Sequence, residues 1–176
     1  MLGLQVRVQD SLIAGIINAL INGYIAYVHF EPMDAVPVSI NLIRHEQITV
    51  WGEAITLTFG LGIILSLITS KLFLRHIGKA YPDALPQIAS SLWADLVPIA
   101  LKHAAVLFGW LTVLALLWTK YIGEVMVSAY IAAVMVGMFA FFITLIIEVR
   151  TKNSLLYKKV SVIELIELIE EHKDPN

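Results

Sequence analysis

The chain has 176 residues, of which 59% are hydrophobic and only 15% charged, with a mean hydropathy of +0.81. Soluble domains average about 45–50% apolar and about 25% charged residues, so the composition argues against an ordinary water-soluble globule. A net charge of −2 offers no basic surface for nucleic acid, and the lack of cysteine removes disulfide and thiolate chemistry.

The first charge-free run, Ser11–Phe30, is bracketed by Asp10 and Glu31. Twenty residues at 1.5 Å each span about 30 Å, the thickness of a bilayer's hydrocarbon core. Asn18 and Asn22 stand in its middle, flanked by Gly15, Ala19 and Gly23. An unpaired amide in hydrocarbon costs several kcal/mol, so this face is expected to look at protein or at water. Ser11, Gly15, Asn18, Asn22, Ala26 and His29 follow helical spacing and share that face. No small-residue cleavage site follows the run before Glu31, so a retained signal anchor is expected.

Pro32 and Pro37 prevent the first helix from continuing into the 31–50 loop. Val36, Val38, Ile40 and Leu42 alternate there, predicting a short extended stretch or a flap over the bundle mouth. His29, Glu31, Asp34, His45, Glu46 and Glu53 gather at this end, with Glu124 from a later loop. Carboxylates ringing a mouth concentrate cations and repel anions; the plainer reading is a solvated loop. No H-x-x-x-H or H-E-x-x-H spacing is present, so no metal site is assigned.

The second run, 54–70, extends to a span over about 51–71, with Trp51 expected as an interfacial anchor alongside Trp118 and Tyr121. Thr58, Gly62, Ser66 and Thr69 line one face, and Glu53, Thr56 and Gly60 a neighbouring strip. Residues 83–96 then read as an amphipathic interfacial helix before Pro98 turns the chain into the third span, about 99–120. That span offers Ala105, Gly109 and Thr112 as its small-residue strip. The fourth, about 125–148, offers Ala129, Ala133, Gly137, Ala140, Thr144 and Glu148. His29 and His103 lie near opposite ends of their spans, which does not favour haem, and no cofactor is expected.

A linker over 151–159 is expected to lead into a short amphipathic helix capped by Ser161, with Glu164 at capping-box spacing. Its stripe of Val162, Leu165, Ile166 and Ile169 calls for a docking partner, since so short a helix is marginal alone.

Lysine and arginine concentrate in the 71–102 segment and after the fourth run, so by the positive-inside rule both termini are expected in the cytoplasm. In a bacterial source the membrane would be the inner one. The expected fold is therefore an all-α, polytopic membrane protein: a four-transmembrane-helix bundle over 1–150, followed by a cytoplasmic tail over 151–176.

No catalytic motif is present, so an enzyme is not expected. Small residues with Asn, Ser and Thr also make ordinary packing seams between membrane helices. The functional reading is a small homo-oligomeric channel or carrier, cation-preferring through its acidic mouth, with Asn18, Asn22, Thr56, Thr58 and Ser66 along a polar path. The alternative is a non-catalytic scaffold or accessory subunit of a larger membrane complex. The expected partners are the lipid bilayer and either a second copy or a complex subunit held through the C-terminal helix.

Overall fold

The computed structural model describes the backbone of residues 8–40, 48–80 and 92–173, and the side chains of residues 11–40, 48–75 and 96–155. The chain forms α1 (Val8–Phe30), β1 (Val36–Val38), α2 (Val50–Ala80), α3 (Leu92–Tyr121), β2 (Val125–Val127) and α4 (Ala129–Lys173). Four stretches are long and apolar enough to cross a membrane: Ser11–Phe30, Val50–Arg75, Leu96–Tyr121 and Ala129–Leu155. Their outward faces carry Ile13, Ile16, Leu20, Ile64, Trp110 and Met138, all more than half exposed. Such a continuous apolar surface suits lipid and not water.

The helices are arrayed in the order α1–α4–α2–α3, so α4 is the central element and α1 the marginal one. α1 runs antiparallel along α4: Ser11 lies opposite Lys152, Asn18 opposite Thr144, and Gly23 opposite Ala133 and Gly137. The N-terminal end of α1 and the far half of α4 therefore share one end of the bundle, the tail end. The opposite, ribbon end is closed by β1 and β2, paired antiparallel with Val36 opposite Val127 and Val38 opposite Val125.

α1 ends at Phe30 because Pro32 follows. The alternation of Val36 and Val38 is realised as β1, and both side chains are buried beneath the ribbon. Its partner residues 125–127 are thereby removed from the expected fourth span. α4 begins only at Ala129, where Ser128 caps it by accepting the Ile131 N–H at 3.4 Å. Gly123 makes the turn before β2 with a φ of 84°.

Two expected interruptions do not occur. Pro98 lies inside α3; the ring forfeits one backbone bond, yet a helix in lipid keeps its remaining bonds by continuing. α4 runs unbroken through the expected 151–159 linker and past Ser161, because no glycine or proline stands between Gly137 and Pro175. Ser161 is thus mid-helix and not a cap. At 45 residues α4 is about 68 Å long, more than twice the hydrocarbon thickness. The expected interfacial helix over 83–96 falls on residues 81–91, outside the described residues, and then on the start of α3.

The main core lies toward the ribbon end. Trp51, expected at the membrane interface, is only 6% exposed and packs against Phe139 and Trp118, at ring-centroid distances of 4.9 and 6.1 Å. Burial under Val36 and Val38 outweighs an interfacial position for so large a ring.

Candidate functional site

The polar residues of the four helices gather around α4 at the tail end, on two sides of it. On the α1 side, Lys152 Nζ donates to Glu148 Oε2 at 2.9 Å and to Ser11 Oγ at 3.0 Å. Glu148 and Lys152 are one turn apart, and their side chains are only 10% and 16% exposed. Two turns deeper, Asn18 Nδ2 donates to Thr144 Oγ1 at 3.1 Å, while Thr144 donates to the Ala140 carbonyl. Asn22 turns its amide back to the Asn18 carbonyl at 2.8 Å.

On the other side, Thr151 meets Ser66 of α2 at 3.0 Å and the Nδ1 of His103, from α3, at 3.3 Å. The Nε2 of His103 lies 3.3 Å from Ser154 Oγ. Ser66 and Thr151 are fully buried and His103 is 7% exposed. Ser70, one turn from Ser66 on α2, is also buried, and its hydroxyl has no partner among the described residues. The four helices thus set a belt of polar groups on two sides of α4, with hydroxyls from α1, α2 and α4 and three ionisable side chains, Glu148 and Lys152 of α4 and His103 of α3.

The belt exists because the seams follow the helical period. Ala133, Gly137, Ala140, Thr144, Glu148 and Thr151 continue one buried stripe along α4. Nearer the ribbon end the same stripe is small. A β-carbon on Gly137 would lie 2.9 Å from the Ala19 carbonyl oxygen, so the α1 and α4 backbones touch there. Beside this crossing runs an apolar groove of about 750 Å³, lined by Leu20, Tyr24, Tyr27, Tyr130, Val134 and Phe142.

The residues expected along a polar path are placed in different surroundings. Asn18 and Asn22 lie half-buried in the α1–α4 seam, bonded within it. Thr58 is buried and bonds the Ile55 carbonyl of its own helix; Thr56 is exposed and bonds the Gly52 carbonyl. Of these five, only Ser66 joins the tail-end belt. The α3 strip of Ala105, Gly109 and Thr112 turns outward; His103, Ala104, Leu107, Leu111 and Ala115 face the bundle instead.

At the ribbon end His29 Nδ1 pairs with Glu53 Oε1 at 3.0 Å, bridging the end of α1 to the start of α2. Glu31, Asp34 and Glu124 are exposed. His45 and Glu46 lie outside the described residues. Among the described residues no three His, Asp or Glu side chains group as metal ligands.

Thr151, Lys152 and Ser154 fall where the sequence pattern predicts a linker, and Glu148 where it predicts the end of a span. The signal for them was the unbroken three- and four-residue spacing past Thr144, legible once the helix is taken to continue. Comparison with protein-family models, curated proteins and solved structures yields no match.

Proposed function

We propose that the chain is a small multi-pass transport protein, a channel or carrier working as a homo-oligomer, whose working groups are the tail-end belt and not the Asn18–Asn22 face. The observation that carries this reading is the burial of Glu148, Lys152 and His103 inside candidate spans, Glu148 paired with Lys152, and Lys152 and His103 bonded into hydroxyls contributed by α1, α2 and α4. Ionisable groups within a membrane are expensive, and they mark ion and proton routes. In this reading the tail end is cytoplasmic, which the lysine and arginine distribution favours, and the exposed Glu31, Asp34 and Glu124 gather cations at the opposite mouth.

The test is flux. Purified protein in liposomes is expected to pass small cations or protons. Glu148→Gln and Lys152→Met should each lower that flux at least tenfold, at unchanged particle mass. Wild-type protein that passes neither would sink the reading.

A second reading has its own support. Among the described residues Asn18 and Asn22 bond only α4 and α1 itself, and the Gly23–Gly137 contact is a tight seam, as in a non-catalytic subunit of a larger complex. α4 residues beyond Leu155 extend about 27 Å past the span and supply the docking arm. Deleting 161–176 should then release a partner or lower the oligomer order. An unchanged particle mass would exclude it.

A further inference from the structure

His103 is held in a way that an ordinary core histidine is not. Both ring nitrogens face hydroxyls: Thr151 Oγ1 at 3.3 Å from Nδ1 and Ser154 Oγ at 3.3 Å from Nε2. Thr151 in turn meets Ser66 at 3.0 Å. A hydroxyl gives one hydrogen bond and accepts two, so the chain Ser66–Thr151–His103–Ser154 has no fixed polarity.

With the proton on Nδ1, the ring donates to Thr151, Thr151 donates to Ser66, and Ser154 donates to Nε2. With the proton on Nε2, the ring donates to Ser154, Ser66 donates to Thr151, and Thr151 donates to Nδ1. With both nitrogens protonated, the ring donates both ways and Thr151 donates to Ser66. All three states keep every bond of the chain; passing between them takes the gain or loss of a proton at a ring nitrogen, accompanied by rotation of the hydroxyl hydrogens, and the two neutral tautomers interconvert through the doubly protonated ring.

We propose that the Ser66–Thr151–His103–Ser154 chain is a reversible proton-binding relay, with His103 as the proton carrier and Thr151 as its positioning residue. The inference deepens the transport reading and rests on it for biological use; it names the proton as the ion that the belt handles. The step is balanced simply. One proton arrives and forms one N–H bond, the ring gains one positive charge, and release reverses both.

The charged groups around the ring set its conditions. Lys102 on α3 and Arg150 on α4 bring positive charge close to it. Glu148 and Lys152 form a closed pair on the α1 side of α4. On α2, Ser66 reaches Thr151, and Thr69 and Ser70 beyond it are buried and uncharged, while Lys71 and Arg75 at the tail end are exposed. Ser70 supplies the second observation. Its hydroxyl is buried one turn from Ser66, on the tail-end side, and has no partner among the described residues, so it is free to exchange hydrogen bonds with the chain.

The experiment is nitrogen-15 NMR of histidine-labelled full-length protein in lipid nanodiscs, from about pH 4 to about pH 9, either side of histidine's ordinary value near 6.5. His103→Gln assigns the signal among the five histidines. The expected result is that His103 exchanges between both tautomers and titrates reversibly. Thr151→Val should move its midpoint by at least about half a pH unit and collapse the tautomer mixture; Thr151→Ser, which keeps the hydroxyl, should restore both. Ser154→Ala, at a partly exposed position, reads the Nε2 side independently of Thr151. One fixed tautomer with no titration, or a Thr151→Val signal identical to wild type, overturns the proposal.

A parallel liposome assay separates the two ideas. Titration of His103 without any flux upholds the relay and defeats the transport reading. Flux whose dependence on an imposed pH gradient persists in His103→Gln defeats the relay while leaving transport intact.

Discussion

Gly137→Ala is the sharpest test of how α1 is held. The added β-carbon would lie 2.9 Å from the Ala19 carbonyl oxygen and 3.5 Å from the Gly23 Cα. Both are backbone atoms, so no rotamer change relieves the clash, and α1 must move away from α4. Helix α1 has little other support, because its packing is almost wholly against α4. The displacement would also stretch the 3.1 Å bond between Asn18 and Thr144. Overpacking of this kind costs about 1–3 kcal/mol, or about 5- to 150-fold in the folded-to-unfolded ratio. The control is Gly109→Ala on α3, where the new β-carbon meets nothing within 4 Å. Helix propensity should make that change stabilising by about 0.5–1 kcal/mol. The measurement is unfolding of the micelle-bound protein by titration with sodium dodecyl sulfate, followed by circular dichroism. Equal midpoints for the two variants would refute the close-crossing argument.

Three further outcomes are expected. Glu148→Gln or Lys152→Met alone should destabilise by about 2 kcal/mol, below the roughly 3–5 kcal/mol of a wholly buried pair because both groups keep some exposure; the double change to leucine should recover most of the loss in the same titration. An Asn18→Leu and Thr144→Val double-mutant cycle should give a coupling of about 0.6–1.7 kcal/mol, and a coupling of zero would mean that the cross-helix bond is not made in the membrane. Thr119→Val removes the acceptor of the Ile40 N–H, now bonded at 3.2 Å; amide exchange of the β1 ribbon should speed up about tenfold, with α2 and α4 unchanged.

The membrane character of the chain and its count of four apolar helices follow from residue chemistry alone. Charge-free runs of bilayer length cannot all be buried in a protein this small. The seam faces of α1, α2 and α4 were equally legible, since polar and small residues repeating at helical spacing must share a side.

Other features depend on long-range packing that local pattern does not encode. Trp51 looks like an interface anchor until Val36 and Val38 are folded over it. Residues 125–127 look like a span until they find β1. The outward turn of Ala105, Gly109 and Thr112 was decided by where α2 and α4 lie against α3.

The belt shows the division most plainly. Ser11, Ser66, His103 and Thr151 are spread over 141 positions of the chain and have no common motif. Only the antiparallel pairing of α1 with α4, and the seating of α4 against α2 and α3, brings their short side chains within hydrogen-bonding reach. Hydrophobic length determines that helices enter the bilayer; which polar atoms then meet is settled by the rotation and depth at which those helices pack, because a hydrogen bond tolerates only a few tenths of an ångström.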